Sequence, residues 1–231
     1  MNQFERLEHL LGHESILKLN NIHVAVFGIG GVGGYIAETL ARFGVGEISL
    51  IDNDTVSISN LNRQIVALHS TIGEYKTEVM KNRILDINPK CKVNTYNIFF
   101  DENACNIFDF SSFNYVADAI DSVSSKILLI QTCTKENIPI ISCMGTGNKL
   151  DPTKLTVSDI SKTFQCPLAK AMRNKLKDIG INKLKVVFSS EQHAKTNISQ
   201  DGKIVPSSAM SVPACAGIIL ANQIILDILD M

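Results

Sequence analysis

Apolar residues along this chain follow two rhythms. Short, nearly unbroken runs such as Val24 to Phe27 and Ile48 to Ile51 fit strands buried on both faces. Longer stretches with apolar residues three and four apart fit helices. The pattern predicts a helical segment over 2–20, with Phe4, Leu7, Leu10 and Leu11 on one face and a break near Gly12. It continues with strand 24–27, helix 32–43, strand 47–51, a loop to 72, helix 74–87 and strand 91–97. A short helix over 102–108, strand 115–119, helix 122–137 and strand 139–143 follow. Asn88-Pro89 and Asn137-Ile-Pro139 mark turns from helix to strand. Such alternation predicts an α/β fold with a Rossmann-like, doubly wound, mostly parallel sheet.

After Gly145-Thr-Gly-Asn148 the rhythm changes. Residues 154–160 and 185–189 read as strands, 167–179 as a helix, 198–207 as a polar loop and 210–230 as a last helix. This is a C-terminal strand and helix extension. The 231 residues are therefore expected to form one domain with N-terminal helices over 1–20, a first half over 21–144 and a second over 145–231. Neither repeats nor low-complexity tracts interrupt it.

Composition narrows the classes. A net charge of −1 carries no global nucleic-acid signature, so any anion must be held by local charge. The first residues lack a basic start followed by an apolar run, so no signal peptide is expected and the cytoplasm is the expected compartment. The apolar stretch 212–231 contains Asn222, Gln223, Asp227 and Asp230; it reads as a buried helix, with no membrane span expected. No two of the six cysteines are in C-x-x-C spacing, which argues against structural zinc and for reduced, mostly buried thiols.

The chemistry begins where the first strand ends. Gly28, Gly30, Gly31 and Gly33 follow Phe27 and open a helical pattern, the context that a nucleotide-binding turn requires. The glycines let the backbone approach a phosphate, and the free N–H groups at the helix start hold its charge. Asp52 ends the next strand, where a carboxylate can accept hydrogen bonds from ribose hydroxyls. These features alone fit an NAD-dependent oxidoreductase as well as an ATP site. Arg63, Lys76 and Asp121 favour the triphosphate. Two cations suit phosphates, and a carboxylate at a strand end suits Mg²⁺.

G-x-G-G-x-G, D-x-D-x-V-x-x-S-N-L-x-R-Q, G-x-x-K and D-x-x-D, in that order, resemble the ThiF/MoeB/HesA superfamily, the bacterial relatives of ubiquitin-activating enzymes. These enzymes adenylate a carboxylate with ATP. The resemblance implies phosphate contacts at the glycine turn and over Ser59, Asn60 and Arg63. It implies a ribose contact at Asp52, the family lysine at Lys76 and the metal-binding aspartate at Asp121. Arg6 matches an arginine that reaches the partner subunit's ATP in a homodimer, although the first arginine of that motif is Gln3 here. The halves 21–144 and 145–231 then become a nucleotide-binding half and a substrate and dimer half.

Within the superfamily the chain is most similar to the TcdA-like branch, the tRNA threonylcarbamoyladenosine dehydratases. The segments are Asp118 to Val123, Gly145 to Thr153, Asp159 to Thr163, Cys166 to Leu168 and Val187 to Ser190. Cys166 stands where the branch commonly has Asp. The resemblance implies tRNA as substrate and ATP with Mg²⁺. It also implies a monovalent cation (Na⁺ or K⁺) and a sulfur-acceptor or cysteine desulfurase partner. Ring closure on the substrate makes a cysteine thioester unnecessary. The alternative within the superfamily is a sulfur-carrier-protein adenylyltransferase. Between Lys162 and Lys185 seven basic residues stand against the single acid Asp178. On the tRNA reading, Lys170, Arg173, Lys175 and Lys177 are its expected contacts.

Overall fold

A computed structural model describes residues 3–192, 199–200, 203–204 and 207–231. The N-terminal segment breaks at Gly12 into α1 (Glu5–Leu11) and α2 (His13–Leu19). The expected alternation follows as β1 (His23–Phe27), α3 (Gly33–Arg42), β2 (Glu47–Ile51), α4 (Lys76–Ile87) and β3 (Lys92–Tyr96). It continues through α5 (Glu102–Cys105), β4 (Tyr115–Asp118), α6 (Val123–Lys135) and β5 (Ile140–Cys143). The second half holds β6 (Leu155–Asp159), α7 (Pro167–Asp178), β7 (Lys185–Ser189) and α8 (Ser211–Leu229).

Seven strands form one sheet in the order β3-β2-β1-β4-β5-β7-β6. All neighbours are parallel except β6, which runs antiparallel to β7 at the edge. Residue alternation along β1 divides the core. Val24 and Val26 face a cluster with Ile36 and Leu40 of α3 and Leu220 and Ile224 of α8. Ala25 and Phe27 face Phe100, Phe108, Phe110 and Phe113, with Leu129 of α6. A third cluster joins Met172 and Leu176 of α7 to Val186 and Phe188 of β7.

Two expectations change. Part of the polar loop 198–207 is a two-residue antiparallel ladder, β8 (Ser199–Gln200) with β9 (Lys203–Ile204). The Asp201-Gly202 pair between them in sequence is a strong hairpin signal. Residues 198, 201–202 and 205–206 of that expectation lie outside the described residues, as does residue 2 of the first helix. The apolar face of α1 also buries no residue in the single chain, and Leu10 is 78 % exposed. Helix α8 is long and apolar enough to cross a membrane by length and composition. Its face with Val212, Ala216, Leu220 and Ile224 is nevertheless buried against the sheet and α3, where each large aliphatic side chain gains about 1.5–3 kcal/mol by leaving water.

Candidate active site

Strands β1 and β4 are neighbours, and their connections leave in opposite directions from the crevice at their C-terminal ends. Such a switch point is where doubly wound sheets bind ligands. Gly28 turns the chain there with φ 87°, and a Cβ would lie 2.7 Å from the Ala119 carbonyl oxygen. A Cβ at Gly33 would fall 1.7 Å from the Gly28 oxygen. Gly33 therefore packs α3 onto the turn. It does not line the cavity, contrary to its expected place among the nucleotide contacts.

A cavity of about 900 Å³ opens at this crevice. Gly28, Gly30, Gly31, Asp52, Asn60, Arg63, Lys76 and Asp121, all expected site residues, line one side. The other side is built by Met144 at the end of the first half and by Gly145 to Asn148, Cys166 to Leu168 and Ser208 from the second. Ser59 is outside the lining; its hydroxyl pairs with that of Ser57 across 2.9 Å, because the turn over 58–60 aims it away. The sequence motif covers both residues that face the ligand space and residues that shape the turn.

Asp52 is held from two sides. The Ile29 N–H donates to its Oδ2 at 2.6 Å and the Asp54 N–H to its Oδ1 at 2.8 Å. Burial pushes its carboxyl above the usual range, against the Lys76 charge and those two hydrogen bonds. Lys76 opens α4 and is almost fully buried; its Nζ donates to Asp54 Oδ2 at 2.7 Å. A cation at a helix start is electrostatically disfavoured, and Asp54 supplies the compensating anion. Arg63 folds back so that Nη1 donates to the Ser59 carbonyl and to Asn62 Oδ1, both at 2.9 Å. Asn60 accepts the Ser57 N–H at 3.1 Å and caps the turn that carries Arg63. Asp121 is exposed and makes no hydrogen bond or ion pair among the described residues.

Three groups had no role in the sequence pattern. Gln64 is 8 % exposed and lines the cavity, and its Oε1 is buried without a hydrogen-bond partner among the described residues. Its place right after Arg63 was the available signal. Lys126 is fully buried, paired with Asp118 Oδ2 at 2.9 Å, and donates to the Ile120 carbonyl at 3.0 Å. It fixes the short loop that ends in Asp121. Spacing placed Lys126 on the stripe of Leu129, Ile130 and Cys133, where a charge requires a buried partner. Lys149 is buried behind the Gly145 to Asn148 wall and donates to the Ser189 carbonyl at 2.7 Å. Desolvation draws its ammonium below the usual lysine range, opposed by Cys166, Glu191 and Cys143.

Arg6, on exposed α1, does not line the cavity of its own chain. Lys170, Lys175 and Lys177 are exposed on α7. Arg173 departs from its expected role. Its Nη1 donates to the Thr163 carbonyl at 2.9 Å and hydroxyl at 2.7 Å, so it clamps the turn before α7. All six cysteines are free thiols. Burial pushes the Cys91, Cys133 and Cys143 thiols up to about 12.

Comparison with known proteins covers the same span. A model of the ThiF family matches residues 4–227. The tRNA threonylcarbamoyladenosine dehydratase of Bacillus subtilis is 43 % identical over 99 % of this chain and 95 % of its own length. The crystal structure of the Escherichia coli tRNA N6-threonylcarbamoyladenosine dehydratase, TcdA, in complex with ATP superposes with a TM-score of 0.92. It shares 36 % identity over 99 % of this chain and 94 % of that one. The same enzyme in complex with AMP matches with 37 % identity and the same TM-score.

Proposed function

The chain belongs to the ThiF family, and on that premise we propose that it is a tRNA threonylcarbamoyladenosine dehydratase. It uses ATP to activate the threonyl carboxylate of threonylcarbamoyladenosine in tRNA and closes a ring on it. The observation that carries this reading is the similarity over the full length, 43 % identity across 99 % of the chain. The cavity supports it by gathering Asp52, Arg63, Lys76 and Asp121 around one glycine turn.

The residues present fit ATP. Gly30 and Gly31 leave room for phosphates beside the start of α3. Asp52 is the acceptor for ribose hydroxyls. The Gln64 amide oxygen, without a hydrogen-bond partner among the described residues, can accept from a polar ligand group at the same turn. Asp121 fits Mg²⁺, which is commonly held by one or two carboxylates together with phosphates and water. No cluster of three or more ligand-type residues exists among the described residues to form an all-protein cage. Bound there, the ion would neutralise phosphate charge.

In the first step a carboxylate oxygen attacks the α-phosphorus, the bond to the bridging oxygen breaks and pyrophosphate leaves. Charge develops on the phosphates, where Arg63 and Lys76 supply fixed cations. The acyl-adenylate carbonyl is electrophilic. An atom of the neighbouring ureido group attacks it, loses its proton to solvent, and AMP departs. Because the attack is intramolecular, proximity provides much of the rate and no protein nucleophile is required. Arg6 is a candidate to act in the partner subunit's site of a two-fold dimer, consistent with the exposed Leu10 on the same helix. Lys170, Lys175 and Lys177 are the candidate phosphate contacts of the tRNA. ATP and tRNA as substrates fit a cytoplasmic enzyme.

Pyrophosphate release from ATP tests the reading. We expect it with tRNA carrying threonylcarbamoyladenosine and not with the C-terminal tail of a sulfur-carrier protein. The reverse preference would assign the chain to the carrier-protein adenylyltransferases.

A further inference from the structure

The turn before α7 carries an aromatic ring that the core does not need. Phe164 is 55 % exposed, yet its position is constrained from three directions. Its ring stands edge-on to the buried Phe188, with centroids 5.5 Å apart and planes at 74°. The residue before it, Thr163, is buried and clamped by Arg173 through its carbonyl and hydroxyl. The residue after it, Gln165, is left-handed with φ 51°, a conformation that a side chain other than glycine adopts only when its surroundings impose it. Phe164 is thus a rigid apolar surface with one face in water.

Its address gives it a use. Cys166, two residues on, lines the cavity, and two residues span at most about 7 Å of chain. Lys162 and Lys170 are exposed on either side of it in sequence. On the proposed function, the threonyl group must enter this cavity while its adenosine stays at the mouth. Where docking draws that adenosine out of the base stack of the tRNA loop, the face of its neighbouring base is left uncovered. Single-stranded RNA bases are commonly received by aromatic rings flanked by cations.

We infer that Phe164 is a stacking platform for a tRNA base at the mouth of the cavity, beside the adenosine that bears the threonyl group. The inference rests on the proposed tRNA substrate. Phe164 positions the loop and takes no part in adenylation. Lys162 and Lys170 contribute salt-dependent phosphate attraction, and the ring contributes attraction that salt does not screen.

The test measures pyrophosphate release by the full-length protein with modified tRNA and with the free nucleoside threonylcarbamoyladenosine. Phe164→Ala is expected to raise KM for tRNA about tenfold. The kcat with tRNA, KM for ATP, activity on the nucleoside and the salt slope of tRNA binding should all stay near wild type. Phe164→Trp should restore KM, and Phe164→Leu should not. An unchanged KM in Phe164→Ala overturns the platform while leaving the enzyme reading intact. Equal rescue by Leu and Trp also overturns it, because packing on Phe188 would then suffice. A wild-type protein that releases no pyrophosphate with either substrate removes the function and the platform together.

Discussion

Asp52 meets opposing demands: burial favours its neutral form, whereas a ribose acceptor works best ionised. Since its carboxyl lies above the ordinary range in the fold, the native state binds more protons than the unfolded chain between those two pKa values. Stability of the ligand-free protein should therefore fall as pH rises through that window. Affinity for adenosine, which carries no phosphate charge of its own, should rise across the same window. Thermal unfolding and calorimetric titration against pH would measure both, and Asp52→Asn should lose both dependences. Where charge develops, Arg63→Ala and Asp121→Ala should each lower kcat/KM for ATP-dependent turnover by about 10² or more. A folded variant with near-normal turnover would remove that residue from the machinery. Lys126 is different: it touches the site only through its grip on Asp118 and Ile120. Lys126→Met strands a buried carboxylate and should cost about 3–5 kcal/mol in denaturant unfolding. Adding Asp118→Asn should recover part of that loss.

Among the elements, α7 separates structural charge from surface charge. Arg173 spends Nη1 on the turn at Thr163, whereas Lys170, Lys175 and Lys177 face solvent. Arg173→Ala should lower stability by about 1–3 kcal/mol, the cost of stranding buried acceptors. Replacing the three lysines with Gln should leave stability nearly unchanged. It should weaken tRNA binding and flatten its salt slope by roughly one unit for each phosphate that is no longer neutralised. Filter binding at several salt concentrations reads the slope. An unaltered slope in the triple variant would move the tRNA path away from α7.

For the whole molecule, helix α1, with Leu10 78 % exposed, bears on assembly. Arg6 lies outside the cavity of its own chain, and α1 buries no residue. If Arg6 serves the neighbouring site, an Arg6→Ala protein mixed with an Asp121→Ala protein should regain activity. Each hybrid dimer then holds one site with both residues intact. Statistical mixing would bring recovery to about a quarter of the sites' activity. Absence of recovery despite demonstrated subunit exchange would count against an in-trans role.

Much was settled by sequence alone because its causes are local. The alternation of apolar runs and amphipathic stretches specified the strand and helix order, and the glycine spacing after Phe27 specified the turn. Asp52, Arg63, Lys76 and Asp121 were picked out by strand ends, a helix start and the ordered motif, and the structure brings all four to the lining of one cavity. Tertiary structure decided what depends on distant partners. Gly33 faces the Gly28 carbonyl and not the ligand space, since helix and turn approach too closely for a Cβ. Lys76, read as a phosphate contact, pairs with Asp54; Arg173, read as a tRNA contact, clamps Thr163; and Lys126, which had no role in the sequence pattern, pairs with Asp118. The second wall of the cavity, from Met144 to Asn148 and Cys166 to Leu168, exists only because β7 and α7 of the second half dock against β5 of the nucleotide half. Local pattern encodes which elements form; only their packing determines which charges are left free to meet a substrate.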